Sequence, residues 1–419
     1  MLDFGRDTFR FLRDNARWLA AGFLLTLFST FGQTFFIGLS GNELRATFHL
    51  SDGAFGGLYM VATLASALSL PWLGRMLDLM PGWKVARFVM PIAALACVLV
   101  AIAPNILALV LALYLLRLFA QGMMSEIAYT QIGRWFIANR GRAMALTLPG
   151  QQVGMAVLPI VVVLIERGSG GWRLAWIASG ALVALVGLPS ITALMKVERT
   201  PHSREHKASR RRAGRDWTRA EVLRDPVLYL LLLGVLGPSF IQTIVFFEQD
   251  YLIDLRHYDP LIFAAAFPVM AVTNAVFGLV CGHLIDRFGA LRLLPYFLLP
   301  LALAAAAVAL ITPVWGVYLF MFLLGISSGL TSTLLGSLWP EVYGLANLGG
   351  IRAIVVSAMV MSSAVGPGLS GLLIDAGIAL PTQMLWLSAW CFAASVALAV
   401  AAWRVRLRET DAAAAPPTL

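Results

Sequence analysis

Residues 107–130 read LALVLALYLLRLFAQGMMSEIAYT, an apolar run with one cation, Arg117, and one anion, Glu126. About 20 residues at 1.5 Å each cross a hydrocarbon core about 30 Å thick, so such a run predicts a membrane-spanning helix. Eleven further runs of this kind lie at 18–39, 53–74, 88–106, 144–165, 174–195, 227–247, 261–282, 293–312, 314–338, 353–374 and 383–403. None of them carries a charged side chain. In hydrocarbon each backbone N–H and C=O must be satisfied within its segment, and the alternating ten-residue pattern of a barrel is missing. The reading is an all-α membrane protein of 12 helices.

Composition agrees: 59% of the 419 residues are hydrophobic and 13% charged, against about 45–50% and about 25% in soluble domains. A large soluble catalytic domain does not fit. The net charge of +9 would raise nucleic acid as a partner in a soluble chain. Here ten basic residues lie between Lys196 and Arg224, and most others flank the apolar runs on alternate sides. Nucleic acid is therefore not expected. Cys97, Cys281 and Cys391 sit inside apolar runs without metal-ligand spacing, as small buried hydrophobes do.

The connections fix a topology. Of the 31 Lys and Arg, 26 fall on one side of the runs, four (Arg45, Arg167, Arg173, Arg256) on the other, and Arg117 within one. Basic residues stay inside, so both termini and the middle loop are expected in the cytoplasm, with the chain in the inner membrane. The resulting organisation is a cytoplasmic segment 1–17, a six-helix bundle 18–195, a basic linker 196–224, a second bundle 225–404 and a tail 405–419. Residues 1–17 lack the apolar core and cleavage site of a signal peptide. Phe4, Phe9, Phe11 and Leu12 form an interfacial helix there or, more simply, extend the first span. Lys207, Arg210, Arg211 and Arg212 make the linker a solvated topology anchor, with anionic lipid binding as the sharper alternative.

The halves repeat. GRMLD (Gly74–Asp78) aligns with GHLID (Gly282–Asp286) at an offset of 208, which also relates Asn139 to Asn347, Gly141 to Gly349 and Pro159 to Pro367. At 209, Phe31, Gln33 and Thr34 pair with Phe240, Gln242 and Thr243. Parallel six-span repeats place a substrate site near the bilayer midplane between halves that rock against each other. A carboxylate at a helix N-terminus is favoured by about 0.3–1 kcal/mol. Asp78 near the eleventh span and Asp286 near the fifth are therefore gating candidates, together with Arg142 at the inner rim.

GRMLDLMPGWKV (Gly74–Val85) and GHLIDRFG (Gly282–Gly289) resemble the loop signature of the major facilitator superfamily. RLFAQG (Arg117–Gly122) is similar to its fourth-helix Arg motif, and GQQVG (Gly150–Gly154) with Pro159 to its fifth-helix glycine motif. RWF (Arg134–Phe136), NRGRA (Asn139–Ala143) and SAVGPGLSGLLID (Ser363–Asp375) resemble the bacterial monocarboxylate-porter and oxalate:formate-antiporter-like branch. The resemblance implies a secondary transporter with a cavity lined by spans that include 1, 5, 7, 8 and 10, spans 3, 6, 9 and 12 facing lipid. Met80-Pro81 stands where the loop signature usually carries a basic residue, and Asn274, Ser357, Ser362 and Ser363 stand in spans whose organic-anion relatives carry cations. The first departure weakens the gate on that side, and the missing cations point away from a dicarboxylate.

Arg117 is the foremost site candidate. Ten residues from its span's outer end, it lies about 15 Å deep, where an Arg costs at least about 2.5 kcal/mol unless a cavity or partner receives it. A guanidinium grips a carboxylate with two parallel hydrogen bonds; proton coupling and helix-to-helix scaffolding are the other roles open to it. Gln121 follows one turn later on the same face. Glu126, nine positions on, is half a turn away and about 13.5 Å further along the axis, too far for an ion pair. It either carries a proton or pairs with Arg134 or Arg142. Gln33, Thr34, Gln152, Gln242, Thr243, Asn274 and Thr331 are further cavity candidates, each with an interhelical hydrogen bond as the plainer role. Glu248, within FFEQDY (Phe246–Tyr251), reads either as a protonatable outer gate or as part of an interfacial aromatic belt.

No metal cluster, Gly-x-Ser-x-Gly elbow or phosphate loop appears, so neither an enzyme nor a cofactor is expected. The expected activity is movement of a small organic anion, of the monocarboxylate type, by alternating access in a monomer, with a proton as candidate co-substrate. A proton-driven drug or metabolite exporter and, further off, a receptor are the alternatives.

Overall fold

The computed structural model describes residues 10–136, 139–199, 217–344 and 347–414, and among them every regular element is helical. Eleven helices are long and apolar enough to cross a membrane. In chain order these are α1 (Ala16–Gly38), α2 (Asp52–Leu79), α3 (Gly82–Ile102), α4 (Ile106–Trp135), α5 (Gly141–Gly168), α6 (Gly171–Met195), α7 (Pro226–Phe247), α8 (Pro260–Phe288), α10 (Trp315–Tyr343), α11 (Gly350–Asp375) and α12 (Leu380–Arg408). Between α8 and α10 lies the shorter α9, Leu299–Leu310.

The expected ninth span, 293–312, is therefore not one helix. Pro295 and Pro300 explain the difference, since each lacks the amide that a continuing helix would use. Leu294–Leu298 instead runs as tight turns, with Tyr296 N–H donating to Leu293 O at 3.0 Å and Leu299 N–H to Tyr296 O at 3.1 Å. The third and fourth helices also part earlier than their expected limits. Asn105 forms the boundary, its side chain accepting from the Ala108 amide at 2.9 Å as an N-cap.

The chain forms two compact units, Met1–Ser51 with Gly57–Arg210, and Asp52–Gly56 with Arg211–Leu419. In the first, α3 packs along α6, and α1 along α5 and α4; in the second, α8 packs along α10, α9 along α12, and α7 along α11. With lipid tails as apolar as leucine, such contacts depend on close van der Waals approach. Gly150 of α5 faces the Phe23 carbonyl of α1 too tightly for any Cβ, and Gly154 faces Thr30. Gly325 and Gly329 of α10 similarly meet the Met270 and Asn274 carbonyls of α8. The glycines of the fifth-helix motif are thus packing positions.

Cys97, Cys281 and Cys391 are free and buried, as their apolar context predicts. Phe11 continues towards α1 in a helical stretch and packs edge-on against Phe136 at 5.6 Å. Phe4, Phe9, Lys207, Arg210, Arg211 and Arg212 lie outside the described residues. At the end of the linker Thr218 and Glu221 cap the short helix Arg219–Arg224 reciprocally, and Trp217 N–H donates to Tyr343 O at 3.1 Å. Helix α12 continues to Ala414, through the start of the expected tail.

Asp225 ties this end of the second unit together. Its buried carboxylate accepts from the Val227 amide at 3.0 Å, from Arg408 at 2.7 and 2.8 Å, and from Tyr343 Oη at 3.2 Å. Burial pushes its pKa up, but the Arg408, Val227 and Tyr343 hydrogen bonds and the Arg408 charge outweigh it and hold the carboxyl below the usual aspartate value. Such a group stabilises the fold above its unfolded-state pKa and loses that contribution as pH falls through the folded one. Asp225→Ala should cost about 2 kcal/mol, below the 3–5 typical of a broken buried pair because the Arg408 side chain is 40% exposed. Thermal unfolding of the purified protein from pH 7 down to 3 should show the parent's advantage over the variant shrinking below about pH 4.

Candidate functional site

Helix α1 departs from its expected continuous form. An α-helix over Ala16–Phe28 tightens into a 3₁₀ turn over Ser29–Gly32, Gln33 is extended at φ −76° and ψ 152°, and Thr34–Gly38 resumes the helix. Local chemistry favours the break: the Ser29 and Thr30 hydroxyls donate back to the Thr26 and Leu27 carbonyls, a habit that bends helices. Gly32 lets the bend lie directly on α4, since a Cβ there would come within 2.5 Å of the Gln121 nitrogen and the Leu116 oxygen.

At that contact α4 is itself irregular, with a π-helix over Leu116–Met123. Each π turn takes an extra residue. Within this stretch Arg117 is buried and Gln121, four positions on, is half-buried.

The two irregularities serve one side chain. In a continuous helix the Phe36 amide would take the Gly32 carbonyl, but here it donates to Gln33 O at 3.1 Å. The Gly32 carbonyl accepts from Arg117 Nη1 at 3.2 Å instead. The Arg117 guanidinium carbon lies 5.4 Å from the Tyr59 ring centroid, and the Tyr59 hydroxyl shares a 2.6 Å hydrogen bond with Thr34 Oγ1. Arg117 is 5% exposed, and its Nε is buried without a hydrogen-bond partner. One carbonyl and one aromatic face therefore hold a buried cation with donor capacity to spare. The sequence alone does not single out Tyr59, because a tyrosine in an apolar span looks like any packed aromatic.

The remaining candidates divide by unit. In the first, Gln33 and Gln152 are half-buried, and Gln152 Oε1 has no hydrogen-bond partner. In the second, Thr243 and Thr331 are buried and donate to Ser239 O and Ser327 O of their own helices, 2.6 and 2.7 Å away. Gln242 and Asn274 are half-buried. Glu248 is buried and begins the short helix Gln249–Arg256. Burial, followed by the Asp52 and Glu248 charges, raises the Tyr251 pKa.

Glu126 is exposed, and the arginines expected as its partners are engaged elsewhere. Arg134 bonds Asp78 at 2.7 Å and the Leu77 carbonyl at 2.5 Å, while Arg142 lies 4.8 Å over the Phe11 ring. Asp78 thus has a partner within its own unit, in a pair so exposed that it is worth no more than about 1 kcal/mol. Asp286, near the end of α8, is exposed. Among the described residues no group of three His, Cys, Asp or Glu side chains could hold a metal ion.

The family model of the Major Facilitator Superfamily matches residues 22–351 and 269–418. The chain belongs to that superfamily. It is a multi-pass membrane protein of a family of transporters, not enzymes. Its fold resembles a bacterial homolog of the human lysosomal transporter Spinster, in an inward-facing and occupied conformation, with a TM-score of 0.67 and 16% identity over 94% of this chain and 96% of that one. The nucleoside transporter NupG matches with a TM-score of 0.66 and 16% identity over 93% and 98%. In sequence, the agnestins efflux protein of Paecilomyces divaricatus is 25% identical over 255 residues, 58% of this chain. The chain covers 54% of the length of that curated relative.

If Gly32 is the seat of the α1–α4 contact, Gly32→Ala must push backbone apart and should destabilise the protein by about 1–3 kcal/mol. A thermal-shift comparison of solubilised parent and variant checks this, with Gly141→Ala, where a Cβ meets nothing within 4 Å, expected to leave the midpoint unchanged.

Proposed function

We propose that this protein is a secondary active transporter that moves a small organic anion, of the monocarboxylate class, with Arg117 as the anion grip. The observation that carries the reading is the buried Arg117 guanidinium, which meets a carbonyl and an aromatic ring and has no carboxylate partner among the described residues. A charge left in hydrocarbon is costly, and a substrate carboxylate reaching Nε and a neighbouring nitrogen would supply the missing counter-charge through two parallel hydrogen bonds. Gln33, Thr34, Gln121 and Gln152 are the polar candidates of the same unit, and Gln242, Thr243, Asn274 and Thr331 those of the second.

In this reading α9 and its proline-interrupted approach complete twelve crossings. Bundles 18–195 and 225–404 alternate in exposing the site, with both termini cytoplasmic in the inner membrane. Asp78, paired with Arg134, works with Asp286 and Arg142 in gating on the cytoplasmic side, while Glu126 and Glu248 are the proton-coupling carboxylates. A second reading, export of a metabolite, is favoured by the likeness to the agnestins efflux protein; the direction of net movement separates the two.

Uptake of labelled lactate or pyruvate into proteoliposomes, with and without a pH gradient, tests the proposal. Arg117→Lys keeps the charge but loses the planar fork. Losing one charge-assisted hydrogen bond, about 1.5–3 kcal/mol, should cut uptake roughly 10- to 100-fold. Unchanged uptake in a folded Arg117→Lys protein would remove Arg117 from the site.

A further inference from the structure

Within the second unit, α7 and α12 leave a lateral groove of about 580 Å³. Tyr229, Leu233 and Leu236 of α7 form one wall and Trp390 and Val400 of α12 the other, with Arg404 at one end. The groove has a sequence origin: Gly237 has no Cβ, and one there would lie 2.7 Å from Cζ3 of Trp390, so the indole packs against the α7 backbone. Tyr229, Leu233, Val400 and Arg404 are all exposed along it.

We infer that this groove binds an acidic glycerophospholipid, one acyl chain lying along the α7–α12 seam and the phosphate on Arg404. The length fits. Trp390 and Arg404 are 14 positions apart on one helix, about 21 Å at 1.5 Å per residue, which matches a chain that crosses one leaflet of about 15 Å and reaches the headgroup level. The charge fits as well. Arg224, Arg404 and Arg406 are exposed at the same ends of their helices, and among the described residues the nearby carboxylates Asp225 and Glu221 are committed, to Arg408 and to the Thr218 cap. A guanidinium with no carboxylate partner among the described residues, at the mouth of an apolar channel that opens sideways to the bilayer, distinguishes a phosphate-bearing amphiphile with a net negative headgroup from a zwitterionic one. The inference requires only that the chain spans a membrane and is independent of which substrate Arg117 grips.

Fluorescence of the full-length protein in phosphatidylcholine nanodiscs tests it. Dibrominated phosphatidylglycerol or dibrominated phosphatidylcholine is added as an acyl-chain quencher, and the part of the signal lost in Trp390→Phe isolates Trp390. Trp390 should be half-quenched at a roughly fivefold lower fraction of the acidic lipid, the effect of about one basic residue at an anionic surface. Arg404→Gln should abolish the preference and Arg404→Lys retain it, the latter showing that the groove survives substitution. Equal quenching by both lipids would overturn the proposal, as would a preference that persists in Arg404→Gln. Efficient disulfide dimerisation of Leu233→Cys, with Trp390 shielded from both quenchers, would assign the groove to a second copy of the chain and also overturn it.

Discussion

A bilayer offers no hydrogen bonds to a backbone that leaves its helix, and the architecture of this protein follows from that constraint. Among the described residues, eleven long apolar helices and the shorter α9 satisfy most of their own amides and carbonyls. At the break in α1 a partner receives the freed group. The break in α1 releases the Gly32 carbonyl, and α4 delivers Arg117 to take it. Two costly features, an unsatisfied carbonyl and a buried cation, are each reduced by the other. The π-helix in α4 and the missing Cβ at Gly32 are what allow them to meet.

The same economy explains why helix packing and chemistry share residues. Gly150 and Gly154 bring α5 onto the part of α1 just before the break, while Tyr59 of α2 covers the guanidinium and fixes Thr34 through its hydroxyl. Three helices, α1, α2 and α4, converge on one cation, and among their contributions only the arginine is visible as a motif. In the second unit the counterparts of Gln33 and Thr34 are retained as residue types, yet Thr243 is satisfied by its own helix.

Charges nearer the ends of the helices do a different kind of work. Asp225 joins the cap of α7 to Arg408 at the end of α12 and to Tyr343 at the end of α10, with the linker's Trp217 beside them. Asp78 and Arg134 form a comparable but solvent-screened pair in the first unit. Only the buried one can contribute much, because water weakens the other's attraction.

The helical class, the membrane location, the approximate span positions and the singular status of Arg117 were legible in the sequence, because hydrophobic run length and the cost of burying charge act locally and leave a compositional trace. The interrupted ninth helix was legible in principle, as Pro295 and Pro300 stand in plain view, but apolarity alone conceals a break that backbone donors decide. The fracture of α1, the π turn of α4, Tyr59 over the guanidinium and the pairing of Arg134 with Asp78 belonged to tertiary structure. Each depends on atoms that come within a few ångströms only after distant segments pack, and no local propensity encodes such an approach.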